Sequence, residues 1–221
     1  MKRLDFHISV SEALRYAGHR GAEVPRQLLA IAQETAAECR KHIYPRYTAS
    51  RFSIKTERDG VKIGDTDVVL QGEDIKKHLA GCSECYIICV TAGMAADGFI
   101  RSMLAVDTVR GMLADGCATA AVESCCDCLE NRLREKLKAE EKYLTWRYSP
   151  GYGDFPFTQQ PQILSLVQAA KFAGVICNES CIMTPSKSVT AVMGIASEKP
   201  RGRRAKCDSC PKKNNCNFSC R

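Results

Sequence analysis

The sequence contains no long hydrophobic run. Its longest apolar stretches, such as residues 86–90, are far shorter than the roughly 20 residues that a membrane-spanning helix needs. No apolar segment follows Met1-Lys2-Arg3, so the sequence indicates no secretory signal peptide. These absences predict a soluble, cytoplasmic protein without a membrane partner.

Several common nucleotide and metal motifs are also missing. The chain has no Gly-x-Gly-x-x-Gly fingerprint after a strand, no P-loop and no His-Glu-x-x-His zinc site. Its few histidines are scattered, and each fits a structural or exposed role better than a ligand role: His7, His19, His42 and His78.

Cysteine, in contrast, is abundant, with 14 residues in 221. A reducing cytosol disfavours disulfides, which leaves packing, metal ligation or thiol chemistry. Ten cysteines lie within periodic segments and are predicted to pack as small hydrophobic side chains. Cys82-x-x-Cys85 and Cys125-Cys126-x-Cys128 have ligand-like spacing, but no second pair stands beside either of them, so packing is the favoured interpretation.

The other four cysteines form a cluster near the carboxyl terminus, Cys207-x2-Cys210-x5-Cys216-x3-Cys220. The surrounding Lys, Arg, Asn, Ser and Pro residues offer no core for these thiols to pack in. Four thiolates can bind zinc tetrahedrally or hold an iron–sulfur cluster, and the spacing does not decide between them. The cluster predicts a metal-binding tail over residues 199–221; the alternative is a tail of oxidation-prone thiols.

The positive charge of the chain is confined to that tail. Residues 199–221 carry eight basic residues and one acidic residue, which accounts for the whole net charge of +7. Such a segment could dock an acidic protein, contact nucleic acid or simply solubilise the terminus. The rest of the chain has neither a basic stripe nor an interleaved aromatic platform, which argues against nucleic acid as a partner.

Residues 1–198 are predicted to form one domain with an α+β fold. Helical periodicity is found at 10–17, 25–42, 73–80, 95–114, 117–141 and 161–172, and strands are expected at 51–55, 61–70, 86–91, 174–177 and 188–197. Because no clean βαβ repeat is present, we expect a twisted, largely antiparallel sheet flanked by helices.

Two motifs in the last third of the chain carry the functional signal. The first, residues 147–153, reads Arg-Tyr-Ser-Pro-Gly-Tyr-Gly, and the second, residues 183–189, reads Met-Thr-Pro-Ser-Lys-Ser-Val. Pro150 followed by Gly151 favours a type II turn. The Arg147 guanidinium beside the turn can bind a carboxylate through two parallel hydrogen bonds. The alternative is a simple connecting loop.

The pattern Arg-x-x-Pro-Gly-Tyr, a helix, and then Met-x-Pro-x-x-Ser-Val resembles the activation domain of cobalamin-dependent methionine synthase. The resemblance runs from about residue 84 to residue 197 and is clearest over 120–195. It implies binding of S-adenosylmethionine (AdoMet) and presentation of this methyl donor to cobalamin that has been oxidised to Co(II). The amino-terminal stretch Glu-Ala-Leu-Arg-Tyr-Ala-Gly at 12–18 resembles the short stand-alone forms of the domain.

The resemblance also implies an AdoMet site. Arg147 would pair with the carboxylate of AdoMet and Glu123 with its ammonium group, while Pro150, Gly151 and Tyr152 would line the pocket. On periodicity alone Glu123 belongs to a solvated helix face. No acid–base residue is required, because the sulfonium already makes the methyl group electrophilic and the protein has only to position it.

The chain departs from the family directly after Tyr152, where Gly153-Asp154-Phe155 replaces a Pro-Ala-Cys-Pro-like stretch. It also lacks the Asp-x-His-x-x-Gly cobalamin loop, so the cobalamin is expected on a partner. The prediction is reactivation in trans of a cobalamin-dependent methionine synthase, or another corrinoid protein without its own activation domain, with an electron donor such as flavodoxin or ferredoxin. Two alternatives remain: an iron–sulfur electron carrier or redox sensor, and a zinc-tail module for nucleic acid.

Overall fold

The computed structural model describes residues 4–20 and 23–199. The helices are α1 Val10–Tyr16, α2 Arg26–Arg40, α3 Glu73–His78, α4 Met94–Val106, α5 Thr108–Lys138, α6 Gln160–Leu166 and α7 Ala169–Phe172. The strands are β1 Arg46–Glu57, β2 Gly60–Ile63, β3 Val69–Leu70, β4 Cys82–Thr91, β5 Tyr143–Leu144, β6 Ile176–Cys177, β7 Met183–Thr184 and β8 Ser188–Ala196.

Six strands form one sheet in the order β3-β2-β1-β4-β8-β5, and every neighbouring pair is antiparallel. The three long strands β1, β4 and β8 form its centre, where Phe52 lies opposite Cys85 and Ile88 opposite Ala191. Strands β6 and β7 form a separate antiparallel pair. The predicted α+β class with a largely antiparallel sheet is confirmed.

Both faces of the sheet are covered, and the central strands alternate between two cores. On β4, Ile88 and Val90 join the core beneath α1, α2, α4 and α5, whereas Ile87 and Cys89 join the core beneath α3, α6 and α7. The period of two in a pleated strand produces this division. Because both faces of β4 and β8 are buried, the sequences of these strands are nearly continuous apolar runs rather than alternating patterns.

Buried cysteines fill much of these cores. Six are completely buried, and within 4–20 and 23–199 no three His, Cys, Asp or Glu side chains come together as a metal site. Burial raises the pKa of five of these thiols to about 12 (Cys39, Cys85, Cys89, Cys117 and Cys125). The prediction that these cysteines pack as small hydrophobic side chains is therefore confirmed for the fully buried set.

Helix α5 is longer than the sequence indicated. The predicted break near residues 115–116 is wrong, because the chain instead breaks at Asp107, whose side chain accepts a hydrogen bond from the Arg110 amide at 3.1 Å and caps α5. Gly116 lies at the position of the predicted break, where α1 crosses α5. A Cβ there would collide with the Ala13 carbonyl oxygen, so this glycine permits close packing.

Two further expectations are corrected. The helix predicted over 161–172 is two helices, separated where Gln168 adopts a positive φ of 48°. The strand predicted over 61–70 is the two short strands β2 and β3. Within the described ranges, no helix is both long and apolar enough to cross a bilayer.

Candidate functional site

The segment that carries the first motif runs between β8 and α5. It begins at β5 and continues along β8, with the Thr145 amide donating to the Gly194 carbonyl and Tyr148 bridging to Val192. On its other side Arg134 of α5 donates to the carbonyl oxygens of Leu144 and Thr145 at 2.6 and 3.2 Å. These contacts place Arg147 against the middle of α5.

Arg147 is surrounded by three carboxylates of α5. Its Nη2 donates to Glu123 at 3.1 Å and to Asp127 at 2.8 Å, and its Nε lies 3.6 Å from a Glu130 oxygen. The Arg147 side chain is only 9% exposed, and its buried Nη1 has no hydrogen-bond partner among the described residues. A permanently charged group at this depth is stabilised by the surrounding negative charges.

The three carboxylates occupy successive turns of one helix face, at spacings of four and three residues. Their exposure differs: the Glu123, Asp127 and Glu130 side chains are 38%, 60% and 13% exposed. Glu130 also binds Arg134 at 2.7 Å. The sequence had singled out Glu123 alone. Its spacing to the other two carboxylates is the signal that could have found them.

The Pro-Gly-Tyr segment forms the predicted turn. The Tyr152 amide donates to the Ser149 carbonyl at 3.1 Å, and Gly151 has a φ of 92°, as the third position of a type II turn requires. Pro150 is buried, whereas Tyr152 is 57% exposed. The turn therefore holds its proline inside and presents its tyrosine to solvent.

The departure from the family pattern after Tyr152 has a structural role. The two carboxylate oxygens of Asp154 accept hydrogen bonds from the backbone amides of Glu73 and Asp74, at 2.7 and 2.9 Å. Phe155 is buried in the core beneath α3, α6 and α7. This stretch therefore attaches the loop to α3.

Aromatic rings surround the base of the same loop. His78 stacks on Tyr148 with centroids 4.9 Å apart and meets the edge of Trp146 at 5.1 Å, while Tyr148 contacts Tyr152 edge-on at 5.8 Å. Burial lowers the pKa of His78 to about 4. The imidazole is therefore neutral at physiological pH, hydrogen-bonded to the Thr145 hydroxyl at 3.0 Å.

The second motif forms the turn between β7 and β8. It contains a cis Thr184-Pro185 bond, and buried Asp97 accepts hydrogen bonds from the Ser186 amide and hydroxyl at 2.7 and 2.8 Å. Strand β8 then joins the two motifs, because the Ser149 hydroxyl donates to the Thr190 carbonyl at 2.7 Å. The sequence did not reveal Asp97, which lies on α4, 89 residues before its partner.

A solvent-open recess of about 480 Å³ lies beside the Arg147 cluster. Its lining residues are Asp127, Glu130, Asn131, Arg134 and Trp146. Carboxylates beside an indole ring suit a cationic group. Arg147, Glu123 and the turn at residues 150–152 are not among the residues that line this recess. The predicted metal ligands Cys207, Cys210, Cys216 and Cys220 lie outside the described residues.

Comparisons with known proteins identify related sequences and folds. Residues 75–203 match the sequence model of the family described as vitamin B12 dependent methionine synthase, activation domain. A solved structure, the crystal structure of the MetH reactivation domain bound to AdoHcy, aligns with a TM-score of 0.62 at 19% identity, covering 90% of this chain and 81% of that one. At this identity the alignment demonstrates a shared fold. No curated protein sequence gives a significant match.

Proposed function

Because the chain belongs to the family of vitamin B12 dependent methionine synthase activation domains, as its motifs predicted, we propose that it binds AdoMet beside Arg147 and supplies the methyl group that reactivates cob(II)alamin. The observation that carries this proposal is the burial of Arg147 among three carboxylates. The exposed Tyr152 follows five residues later in the same segment. The MetH reactivation domain whose fold it shares is bound to AdoHcy, which is AdoMet without its methyl group.

The Arg147 cluster has the donors and acceptors that the amino-acid end of AdoMet needs. The buried Nη1 of Arg147 has no hydrogen-bond partner within the described part of the chain. In our proposal it donates to the ligand carboxylate once the side chains around it have moved to admit the ligand. Glu123 is held by the longer of the two Nη2 contacts, 3.1 Å against 2.8 Å for Asp127, and is partly exposed. In our proposal, Glu123 turns from Arg147 to the ligand ammonium group.

The charge of the cluster complements that of AdoMet. Glu123, Asp127 and Glu130 oppose two guanidinium groups, those of Arg134 and Arg147, which leaves one net negative charge. AdoMet carries a sulfonium, an ammonium and a carboxylate, and therefore one net positive charge. AdoHcy lacks the sulfonium and is formally neutral, so the cluster favours the methyl donor over its product.

The reaction requires positioning rather than acid–base catalysis. Reduced cobalamin, the substrate, attacks the methyl carbon; the carbon–sulfur bond breaks, sulfur keeps the electron pair, and AdoHcy is left. The protein fixes the donor through Arg147 and Glu123 and exposes its methyl group beside Tyr152. The alternative is that Tyr152, Pro150 and Gly151 serve only the turn.

We place the cobalamin on a separate protein, such as a methionine synthase or another corrinoid protein without its own activation domain. The electron that converts Co(II) to Co(I) comes from a donor such as flavodoxin or ferredoxin. The sequence supports this arrangement, since the chain carries no Asp-x-His-x-x-Gly cobalamin loop.

The test is reactivation in trans under anaerobic conditions. A methionine synthase deleted of its activation domain, loaded with cob(II)alamin, is mixed with this protein, AdoMet and a low-potential reductant, and the cobalamin spectrum is followed. We expect methylcobalamin to form with the wild type and with Arg110→Ala, which removes a different α5 arginine paired with Glu34 at 2.8 Å. Arg147→Ala should abolish the change. Equal rates for Arg147→Ala and the wild type would overturn the proposal.

We also propose that Cys207, Cys210, Cys216 and Cys220 bind a metal centre, either an iron–sulfur cluster or zinc. Their spacing and the polar sequence around them support this. An iron–sulfur cluster there would supply a one-electron carrier, and zinc would order the tail for docking.

Elemental analysis and absorbance of anaerobically purified protein test the tail. We expect stoichiometric iron with a visible chromophore, or one zinc, and loss of the metal in the Cys210→Ala/Cys216→Ala variant. Cys177→Ala, at a partly exposed cysteine of β6, should keep it. Metal-free protein with all four tail thiols open to alkylation would refute the site.

A further inference from the structure

We propose that Asp154 is a positioning residue that fixes the Tyr152 loop in its ligand-binding conformation by capping α3. The inference rests on the proposed AdoMet site. Asp154 lies in the stretch after Tyr152 in which this chain departs from the family pattern, so that the family's contacts cannot be carried over to it.

Helix α3 does not provide its own amino-terminal cap. The residue at that position is Gly72, which has no side chain to accept a hydrogen bond. Asp154, which is 80 residues after Asp74, provides both acceptors, with Oδ2 bonded to the Glu73 amide and Oδ1 to the Asp74 amide. Each oxygen satisfies one of the amides that a helix leaves free at its start.

The fit between the loop and the helix is tight. A Cβ at Gly72 would lie 2.7 Å from the Asp154 carboxylate and 3.0 Å from its carbonyl oxygen, so only glycine permits the approach. Backbone hydrogen bonds at the two Asp154 oxygens lower the pKa of this carboxyl. The group is therefore ionised at neutral pH, and the dipole of the helix favours a negative charge at its amino terminus.

Asp154 also determines where Tyr152 lies. Within the loop, the Gly151 amide donates to the Phe155 carbonyl at 2.8 Å and the Phe155 amide donates to the Tyr152 carbonyl at 3.0 Å. These two hydrogen bonds close the loop on itself. Asp154 attaches this closed unit to α3, and α3 carries His78, on which Tyr148 stacks beside Tyr152. Losing the cap would leave the loop anchored by buried Phe155 but no longer attached to the amino terminus of α3, so that Tyr152 could shift relative to Arg147.

The experiment compares the loss of two aspartate caps in the full chain. Asp154→Ala removes the cap of α3, and Asp107→Ala removes the cap of α5, about sixteen residues or roughly 24 Å of helix from Glu123. AdoMet affinity is measured by calorimetry and stability by urea unfolding. We expect both variants to lose stability, but only Asp154→Ala to bind AdoMet more weakly, by roughly tenfold.

Asp154→Asn is the conservative variant. It keeps one oxygen acceptor, so its affinity should lie between those of the wild type and Asp154→Ala, and it provides a folded alternative if the alanine variant does not fold. Wild-type affinity in both Asp154 variants would overturn the positioning role while the proposed function stands. If the wild type does not bind AdoMet, both the positioning role of Asp154 and the proposed function are refuted.

Discussion

At the scale of single residues, the decisive feature is a guanidinium that is buried but not fully paired. Arg147 contacts three carboxylates through Nη2 and Nε, and its Nη1 is left without a partner in the part of the chain that the structure describes. A buried donor without an acceptor costs stability. In our proposal, a rearrangement of the surrounding side chains brings a ligand carboxylate to Nη1 and recovers that cost, which is why we assign ligand binding to this residue.

His78 should make stability depend on pH. Its pKa is about 4 in the folded protein because of burial, against an ordinary value of 6.5. The unfolded chain therefore binds more protons between these values, and stability falls as pH drops from about 6.5 to 4, by on the order of 3 kcal/mol. Urea unfolding at several pH values, followed by the fluorescence of Trp146, the single tryptophan, measures this slope.

Two variants identify the histidine responsible. His78→Phe keeps a ring against Tyr148 and should flatten the slope between pH 6.5 and 4.5. His42→Phe, at a partly exposed ring stacked on Phe99, should retain it. Hydrogen bonds from Arg51 and Lys142 lower the pKa of Glu84 to about 2, so its stabilisation is lost in a separate window below about pH 4.5. Equal slopes in both histidine variants would contradict the assignment.

At the scale of elements, α5 organises the molecule. It carries the carboxylates of the site on one face and the buried side chains of the core beneath α1, α2 and α4 on another. Helix α1 crosses it at Gly116, where the Ala13 carbonyl leaves no room for a Cβ. The position of α1 therefore depends on a glycine in the middle of a long helix.

Replacing Gly116 by alanine should separate the two helices. We expect Gly116→Ala to destabilise the protein by about 1–3 kcal/mol because the collision is with backbone. Gly98→Ala in α4 is the matched control, since a Cβ there meets nothing within 4 Å and alanine favours helix by about 0.8–1 kcal/mol over glycine. Urea unfolding compares them. A gain in stability for both variants would show that α1 does not pack as described.

The elements differ in how far the sequence could predict them. Periodicity located the helices and the long strands, and the Pro-Gly pair predicted the turn at Ser149–Tyr152. The sequence placed a break near residues 115–116, whereas the chain breaks at Asp107. Gly116 lies inside α5 and permits close packing of α1. The roles of Asp97 and Asp154 could not be predicted either. Each accepts hydrogen bonds from backbone amides 80 or more residues away, and local sequence patterns give no information about such distant contacts.

At the scale of the whole molecule, the charge is divided between two parts of the chain. Residues 1–198 are formally neutral, and residues 199–221 carry the full +7 together with the four clustered cysteines. The AdoMet site that we propose lies entirely within the first part. In our proposal, donor binding needs Arg147 and Glu123 and is therefore separate from metal binding, which needs the tail.

This separation predicts the behaviour of a chain that ends at Glu198. It should bind AdoMet with wild-type affinity and hold no metal, because every residue of the proposed donor site precedes the cut. Calorimetry and elemental analysis of the shortened protein check both parts. A large loss of AdoMet affinity would mean that the tail contributes to the site and that the division is wrong.

The most direct test of the account is calorimetric titration of AdoMet into the full, anaerobically purified chain. We predict binding of one equivalent by the wild type and by Arg110→Ala. Arg147→Ala should lose at least about thirtyfold in affinity, because truncating a buried charge partner costs 2 kcal/mol or more, and Glu123→Gln should bind more weakly than the wild type. Absence of binding by the wild type, or undiminished binding by Arg147→Ala, would contradict the central claim.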